Sequence, residues 1–190
     1  MKAGILVFDG VEVLDFAGPY EVLAGARQGE TNCFEAFTVG EKSLVACSGG
    51  LRVIPDYTFD TAPDFDILVV PGGPGTRVEE SKLENVYRYI ARAAVKAAHV
   101  AGVCTGTYLM AGAGLLDGLT VTTHHRRREA LRQKYPELNV VSAKVLDSGK
   151  IITSAGVSSG IDMALYLVEK LYGKTAAASE QERIEYGLHL

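Results

Sequence analysis

A doubly wound α/β sandwich is the fold class that the sequence predicts, and three observations predict it. Continuous apolar runs recur at Lys2 to Phe8, Asp66 to Val70 and Val100 to Val103, as in parallel strands covered on both faces. Segments with helical spacing separate them, which calls for right-handed crossovers over a parallel sheet. The runs end in Asp9-Gly10, in Pro71-Gly72-Gly73-Pro74-Gly75 and in Gly102-Val103-Cys104-Thr105-Gly106, where such sheets carry their ligand sites.

Taken in order, Lys2 to Phe8 (KAGILVF) is a central strand stopped by Asp9-Gly10. Gly18-Pro19 interrupts the next apolar stretch, and a helix is expected from about Pro19 to Ala26, because proline suits a first turn and not a helix interior. Phe34 to Val39 alternates as a second strand. Leu44 to Ile54, with Gly49-Gly50 at its middle, suits a small hairpin, and Pro55 to Asp66 a loop with Tyr57 and Phe59 tucked beneath it. After the third strand and its glycine-rich turn, Ser81 to Glu84 has capping-box spacing, and Leu83, Val86, Tyr87, Ile90 and Ala94 mark a helix to about Ala98. A strand ending at Val103 and a helix from Thr105 to about Ala113 follow. Leu119 to Thr123 is a short strand, His125 to Tyr135 a helix, Val140 to Val145 a β segment, Ser148-Gly149 a turn and Lys150 to Ser154 the returning strand. Ile161, Leu165, Val168 and Leu171 form one face of a helix stopped near Gly173, and Thr175 opens a last helix.

The 190 residues are expected to make one domain, residues 1–190, with no repeat or linker. A hydrophobic fraction of 47% and a charged fraction of 22% are those of an ordinary globular chain. A net charge of −4 offers nothing in bulk to nucleic acid or to an anionic membrane. Three cysteines, Cys33, Cys47 and Cys104, lack metal-like spacing, and no secretory leader precedes Ile5, so a cytoplasmic protein with reduced thiols is expected.

Cys104 is the candidate catalytic residue. It occupies the nucleophile position of a G-x-nucleophile-x-G elbow, where small flanking residues permit a strand to turn sharply into a helix. Unpaired N–H groups at the helix start are expected to favour its thiolate. Backbone N–H groups of Gly73 and Thr105 would form an oxyanion donor pair, with Gly72 in support. Asp15 is the candidate acid or base if its loop folds over the elbow, and otherwise a helix N-cap. His124 and His125 either reach the thiol as a base or are satisfied polar residues at a strand end. The arginines that follow suit a solvated helix face, since Glu129 comes immediately after them. Cys33 and Cys47 suit inert buried positions, and Tyr20, Tyr57 and Tyr108 either line a pocket or pack.

With LDFAGPYEVL at Leu14 to Leu23, VPGGPG at Val70 to Gly75, GVCTGTYLMAGAGLLDG at Gly102 to Gly118, TVTTH at Thr120 to His124 and AGVSSGIDMAL at Ala155 to Leu165, the chain resembles the ThiJ/PfpI superfamily over essentially its whole length. Within it the likeness is to isonitrile hydratases and to the amidotransferase-like domains of AraC-type regulators. The resemblance implies a flavodoxin-like three-layer sandwich, a homodimer, and an elbow cysteine, Cys104, against an acidic residue, Asp15. Protease-like members carry histidine directly after the cysteine, and this chain has Thr105. Glyoxalase-like members carry glutamate at the acidic position, so Asp15 points to the hydratase group. The regulators continue into a helix-turn-helix domain that the residues up to Leu190 do not supply, so no nucleic-acid or membrane partner is expected. The implied reaction is hydration of a small-molecule isocyanide to a formamide through a thioimidate on Cys104, with Thr105 positioning substrate or water and neither metal nor organic cofactor required. The alternatives are a non-enzymatic redox sensor or an activity on small aldehydes.

Overall fold

The computed structural model describes residues 1–187. Strand β1 (Lys2–Val7) leads into helix α1 (Val13–Gly25), and a ribbon of β2 (Arg27–Gln28) and β3 (Thr31–Asn32) precedes β4 (Glu35–Gly40). A second ribbon, β5 (Val45–Ala46) with β6 (Arg52–Val53), precedes β7 (Tyr57–Thr58) and β8 (Ile67–Val70). Then follow α2 (Glu84–Lys96), β9 (His99–Val103), α3 (Gly106–Gly112), β10 (Thr120–Val121), α4 (Arg128–Lys134) and β11 (Asn139–Val140). The chain closes with β12 (Val145–Ser148), β13 (Ile151–Ser154), α5 (Ser159–Tyr172) and α6 (Lys174–Arg183).

Seven strands form the central sheet in the order β12-β13-β9-β8-β1-β4-β7, all parallel except β12, which runs antiparallel to β13. Its register sets Val69 beside Ile5, Gly102 beside Val70 and Ser154 beside Val103. Ile5, Leu6 and Val7, all four residues of β8, and Val100, Ala101 and Val103 are wholly buried, which is why these strands read as unbroken apolar runs. Helices α1 and α5 pack together, as do α2 and α3. The flavodoxin-like, mostly parallel α/β fold expected from the sequence is the one observed. Among the described residues no helix is long and apolar enough to cross a membrane.

Several local expectations are corrected. Helix α1 begins at Val13, with Glu12 at its N-cap, so Asp15 lies in its first turn and is not a cap. Pro19 lies inside this helix, where its missing N–H removes the bond to the Asp15 carbonyl; there it packs against Gly160 of α5, where an added Cβ would lie 3.2 Å from the ring. The capping box at Ser81 does not form. A 3₁₀ turn over Glu80–Lys82 closes the Leu83 N–H onto the Glu80 carbonyl, and α2 starts at Glu84 with no side-chain cap. The expected loop after Pro55 contributes β7 to the sheet edge beside Val39 and Gly40. Its aromatics do pack inward: Tyr57 meets Phe37 edge-on at 5.1 Å, and Phe59 stacks on Tyr89 at 4.1 Å. Val140 and Val145 belong to different strands, because β11 pairs with β10 in a separate small sheet while β12 turns through Gly149 into β13. The helix expected from His125 opens as a 3₁₀ turn over His125–Arg127 before α4.

Candidate active site

Chain connections diverge at the boundary between β1 and β8, since β1 continues to β4 on one side and β8 to β9 on the other. A doubly wound sheet opens its crevice at such a point, beyond the carboxyl ends of the strands. Three segments meet there: the residues after β1 that enter α1, the glycine-rich turn after β8, and the elbow after β9. Glu12 N–H donates to the Gly72 carbonyl at 2.9 Å, and Gly75 N–H to the Gly10 carbonyl at 3.0 Å, so the first two are tied backbone to backbone. Glycine is required at the third junction, because a Cβ on Gly72 would overlap the Thr105 backbone nitrogen and hydroxyl.

At the elbow, Cys104 has φ of +56°, a left-handed conformation that costs an L-residue about 1–2 kcal/mol. Hydrogen bonds on both sides of the residue hold it. Its N–H is shared by the carbonyls of Ser154 at 3.2 Å and Ala155 at 2.9 Å, while its carbonyl accepts from the Thr123 hydroxyl at 2.6 Å and the Thr107 hydroxyl at 3.3 Å. Strain retained by surrounding structure in this way marks functional positions. Cys104 is only 6% exposed.

Asp15 is wholly buried. Its Oδ2 accepts from the Gly72 N–H at 3.0 Å, and its Oδ1 has no hydrogen-bond partner. Burial pushes the carboxyl up to about 7, against the pull of the Gly72 N–H and of the neighbouring Cys104 thiol, with the Glu12 carboxylate adding to the rise. On Cys104, burial and then the negative charge of Asp15 push the thiol up to about 12, against the Thr105 backbone N–H and hydroxyl. This corrects the expected thiolate: loss of solvation outweighs the N–H groups of the seven-residue helix α3. The two acids titrate as a coupled pair. As pH rises through about 7, the pair passes from holding two protons to holding one, on the thiol, with the negative charge on Asp15.

The backbone donors are committed differently from expectation. Gly73 N–H donates to Thr105 Oγ1 at 2.9 Å and Gly72 N–H to Asp15, so the Gly73–Thr105 pair of N–H groups does not stand open for an oxyanion. Thr105 instead ties the glycine-rich turn to the elbow, and its own N–H lies against the Cys104 sulfur. His124 is not among the groups that act on the Cys104 thiol. Its Nδ1 accepts from the Arg126 N–H at 3.3 Å, its ring lies 4.4 Å from that of His125, and Gly156 leaves room for it where any Cβ would collide. Burial, followed by the charges of His125, Arg126, Arg127 and Arg77, pushes its pKa down. Sequence reasoning passed over Thr123, Thr107 and Glu12. The one signal for Thr123 was its place at the end of a TVTT strand, where a threonine can turn its hydroxyl back on a neighbouring loop.

A model of the DJ-1/PfpI family matches residues 1–170. The chain belongs to the DJ-1/PfpI family. It is 34% identical to isonitrile hydratase of Pseudomonas putida over 190 residues, covering 98% of this chain and 78% of that protein. It is 27% identical to the HTH-type transcriptional regulator GbdR of Pseudomonas aeruginosa, covering 96% of this chain but 50% of the regulator, so it spans about half the length of that relative. A crystal structure of a ThiJ/PfpI family protein from Pseudomonas syringae superposes with a TM-score of 0.87 at 30% identity, over 100% of this chain and 76% of that one.

Proposed function

We propose that this protein hydrates an organic isocyanide to an N-substituted formamide at Cys104. The observation that carries this reading is a fully buried carboxyl, Asp15, brought to about 7 beside a buried thiol. The terminal carbon of an isocyanide must receive a nucleophile and a proton at one atom. A thiol and carboxylate that share a proton supply both. Similarity to the isonitrile hydratase of Pseudomonas putida supports the same chemistry.

The thiol proton passes to Asp15 as Cys104 Sγ bonds to the terminal carbon, and Asp15 returns that proton to the same carbon, giving a neutral thioimidate, R–N=CH–S–Cys104. Asp15, again a carboxylate, takes a proton from water as its oxygen adds to the carbon, and gives it to nitrogen. The hydroxyl proton then leaves for the Cys104–Asp15 pair while the C–S bond breaks, its electrons returning to sulfur. The product is R–NH–CHO, and one water has been consumed. Thr105 N–H and hydroxyl, which lie against the sulfur, stabilise its negative charge when the bond is made and broken.

The redox-sensing alternative fits less well. Oxidation proceeds through a thiolate, and burial keeps Cys104 protonated. Incubation with cyclohexyl isocyanide, with the formamide measured by chromatography, separates the readings. Turnover by the wild type that is absent in Cys104→Ala supports hydration; no turnover, or full turnover in Cys104→Ala, overturns it.

A further inference from the structure

The hydroxyl of Thr123 has no part in the hydration steps, yet it touches the backbone of the nucleophile itself. It donates to the Cys104 carbonyl at 2.6 Å, and Thr123 is wholly buried. The residue before it is fixed at every polar group. Thr122 N–H donates to Thr153 Oγ1 of β13 at 3.0 Å, and its carbonyl accepts from Thr107 Oγ1 of α3 at 2.9 Å. Its hydroxyl lies 3.1 and 3.0 Å from the carbonyls of Val141 and Ala143. Thr123 is thus presented to the elbow by a rigid segment. Thr107 also approaches the Cys104 carbonyl, but at 3.3 Å. A hydroxyl has one proton, and that of Thr107 serves the nearer Thr122 carbonyl, so the Cys104 carbonyl depends on Thr123.

What that carbonyl controls follows from covalent geometry. The Cys104 carbonyl and the Thr105 N–H are opposite ends of one planar peptide and point in opposite directions. Fixing the first therefore aims the second. The Thr105 N–H has no backbone acceptor among the described residues and lies against the Cys104 sulfur. The same peptide adjoins the left-handed Cys104, whose φ of +56° is unfavourable by itself. Such a residue relaxes by rotating the peptide planes on its two sides. The plane on the N-terminal side is held by the Ser154 and Ala155 carbonyls, and Thr123 is the matching hold on the C-terminal side. A hydrogen bond at the carbonyl also polarises the peptide and strengthens its N–H as a donor.

We propose that Thr123 is a positioning residue: by fixing the Cys104–Thr105 peptide, it aims the Thr105 N–H at the charge that appears on sulfur when the C–S bond is made and broken. The catalytic part of this inference rests on the hydration reading, and the hold on the thiol does not.

The test compares Thr123→Val, which keeps the shape and removes the hydroxyl, with Thr123→Ser, which keeps the hydroxyl. With cyclohexyl isocyanide, Thr123→Val is expected to lower kcat roughly ten- to a hundredfold with KM within about twofold of wild type, because a transition-state interaction is lost. Thr123→Ser should stay within about threefold of wild type. Alkylation of Cys104 by iodoacetamide at pH 8, followed by peptide mass spectrometry, should be at least about threefold slower in Thr123→Val and near wild type in Thr123→Ser, because a misdirected N–H leaves less thiolate. General loosening would expose the thiol and speed alkylation, so a slower rate is not a stability effect. Thr38→Val, which removes a buried hydroxyl bonded to Asp56 from β4, is expected to change neither readout. Thr123→Ala takes the place of Thr123→Val if the latter does not fold. Wild-type kcat and alkylation without the hydroxyl, a loss confined to KM, or an equal loss in Thr123→Ser overturns the assignment. If no protein hydrates the isocyanide, the hydration reading falls and alkylation alone decides: a slower rate in Thr123→Val but not in Thr123→Ser supports the hold, and equal rates in all three overturn it.

Discussion

Cys104 and Asp15 divide one proton between them because neither is solvated well enough to bear a charge freely. Substituting Asp15 by Asn removes the negative neighbour that raises the thiol, so Cys104 should lose protons more readily and be alkylated several-fold faster by iodoacetamide at pH 8. The same variant should hydrate isocyanide roughly 10²–10⁴-fold more slowly, since no group remains to move the proton. Stability provides a second readout. Asp15 holds its proton more tightly folded than unfolded, at about 7 against an ordinary 3.8, so the folded state binds more protons within that window and stability falls as pH rises across it. Relative to wild type, Asp15→Asn should gain stability as pH is raised from about 4 to about 7 and then level off, by an amount of order 2–4 kcal/mol in chemical denaturation. A gap that does not change with pH would show that Asp15 is not perturbed. The residue types of this pair were legible in the sequence, and the direction of the thiol shift was not. A helix start can be read from local spacing, whereas burial comes from strands and helices distant in the chain.

At the scale of elements, the site depends on how closely the β8 turn and the β9 elbow approach. A Cβ on Gly106 would overlap the Val70 carbonyl, and one on Gly72 the Thr105 backbone. Gly106→Ala is therefore expected to cost about 2 kcal/mol or more in urea unfolding, since the clash is with backbone and no rotamer relieves it. Both glycines stood out in the sequence as turn residues, but the contact that needs them joins two segments about thirty positions apart, roughly the span of a βαβ unit, and periodicity carries no such information. Pro19 misled for a related reason. Its local effect argues for a helix start, yet α1 runs through it and its ring is packed by α5, so tertiary packing overrides the local preference. The capping-box spacing at Ser81 failed because Ser81 lies inside a 3₁₀ turn over Glu80–Lys82, and α2 starts after it at Glu84.

For the whole molecule, strand order matters more than any one element. Placing β1 and β8 side by side with their connections leaving in opposite directions brings Asp15 to Gly72, and β9 beside β8 brings Cys104 to both. Alternating apolar runs and helical spacings made the sandwich readable, while the pairing of β10 with β11 outside the main sheet was not, because each strand is only two residues long. The last helix is fixed by a long-range ion pair: Arg183 bridges the nearly buried Glu180 at 2.7 Å and Glu21 of α1 at 2.9 Å. Arg183→Ala leaves Glu180 without that partner and should lower stability by about 2 kcal/mol without altering alkylation of Cys104. The central claim, one proton shared by Cys104 and Asp15, is tested most directly by the pH dependence of kcat/KM for isocyanide hydration. The pair becomes competent when Asp15 loses its proton, so the rate should rise with pH to a plateau with a midpoint near 7. A profile flat from about pH 5 to 9, or one that keeps the same midpoint in Asp15→Asn, would contradict it.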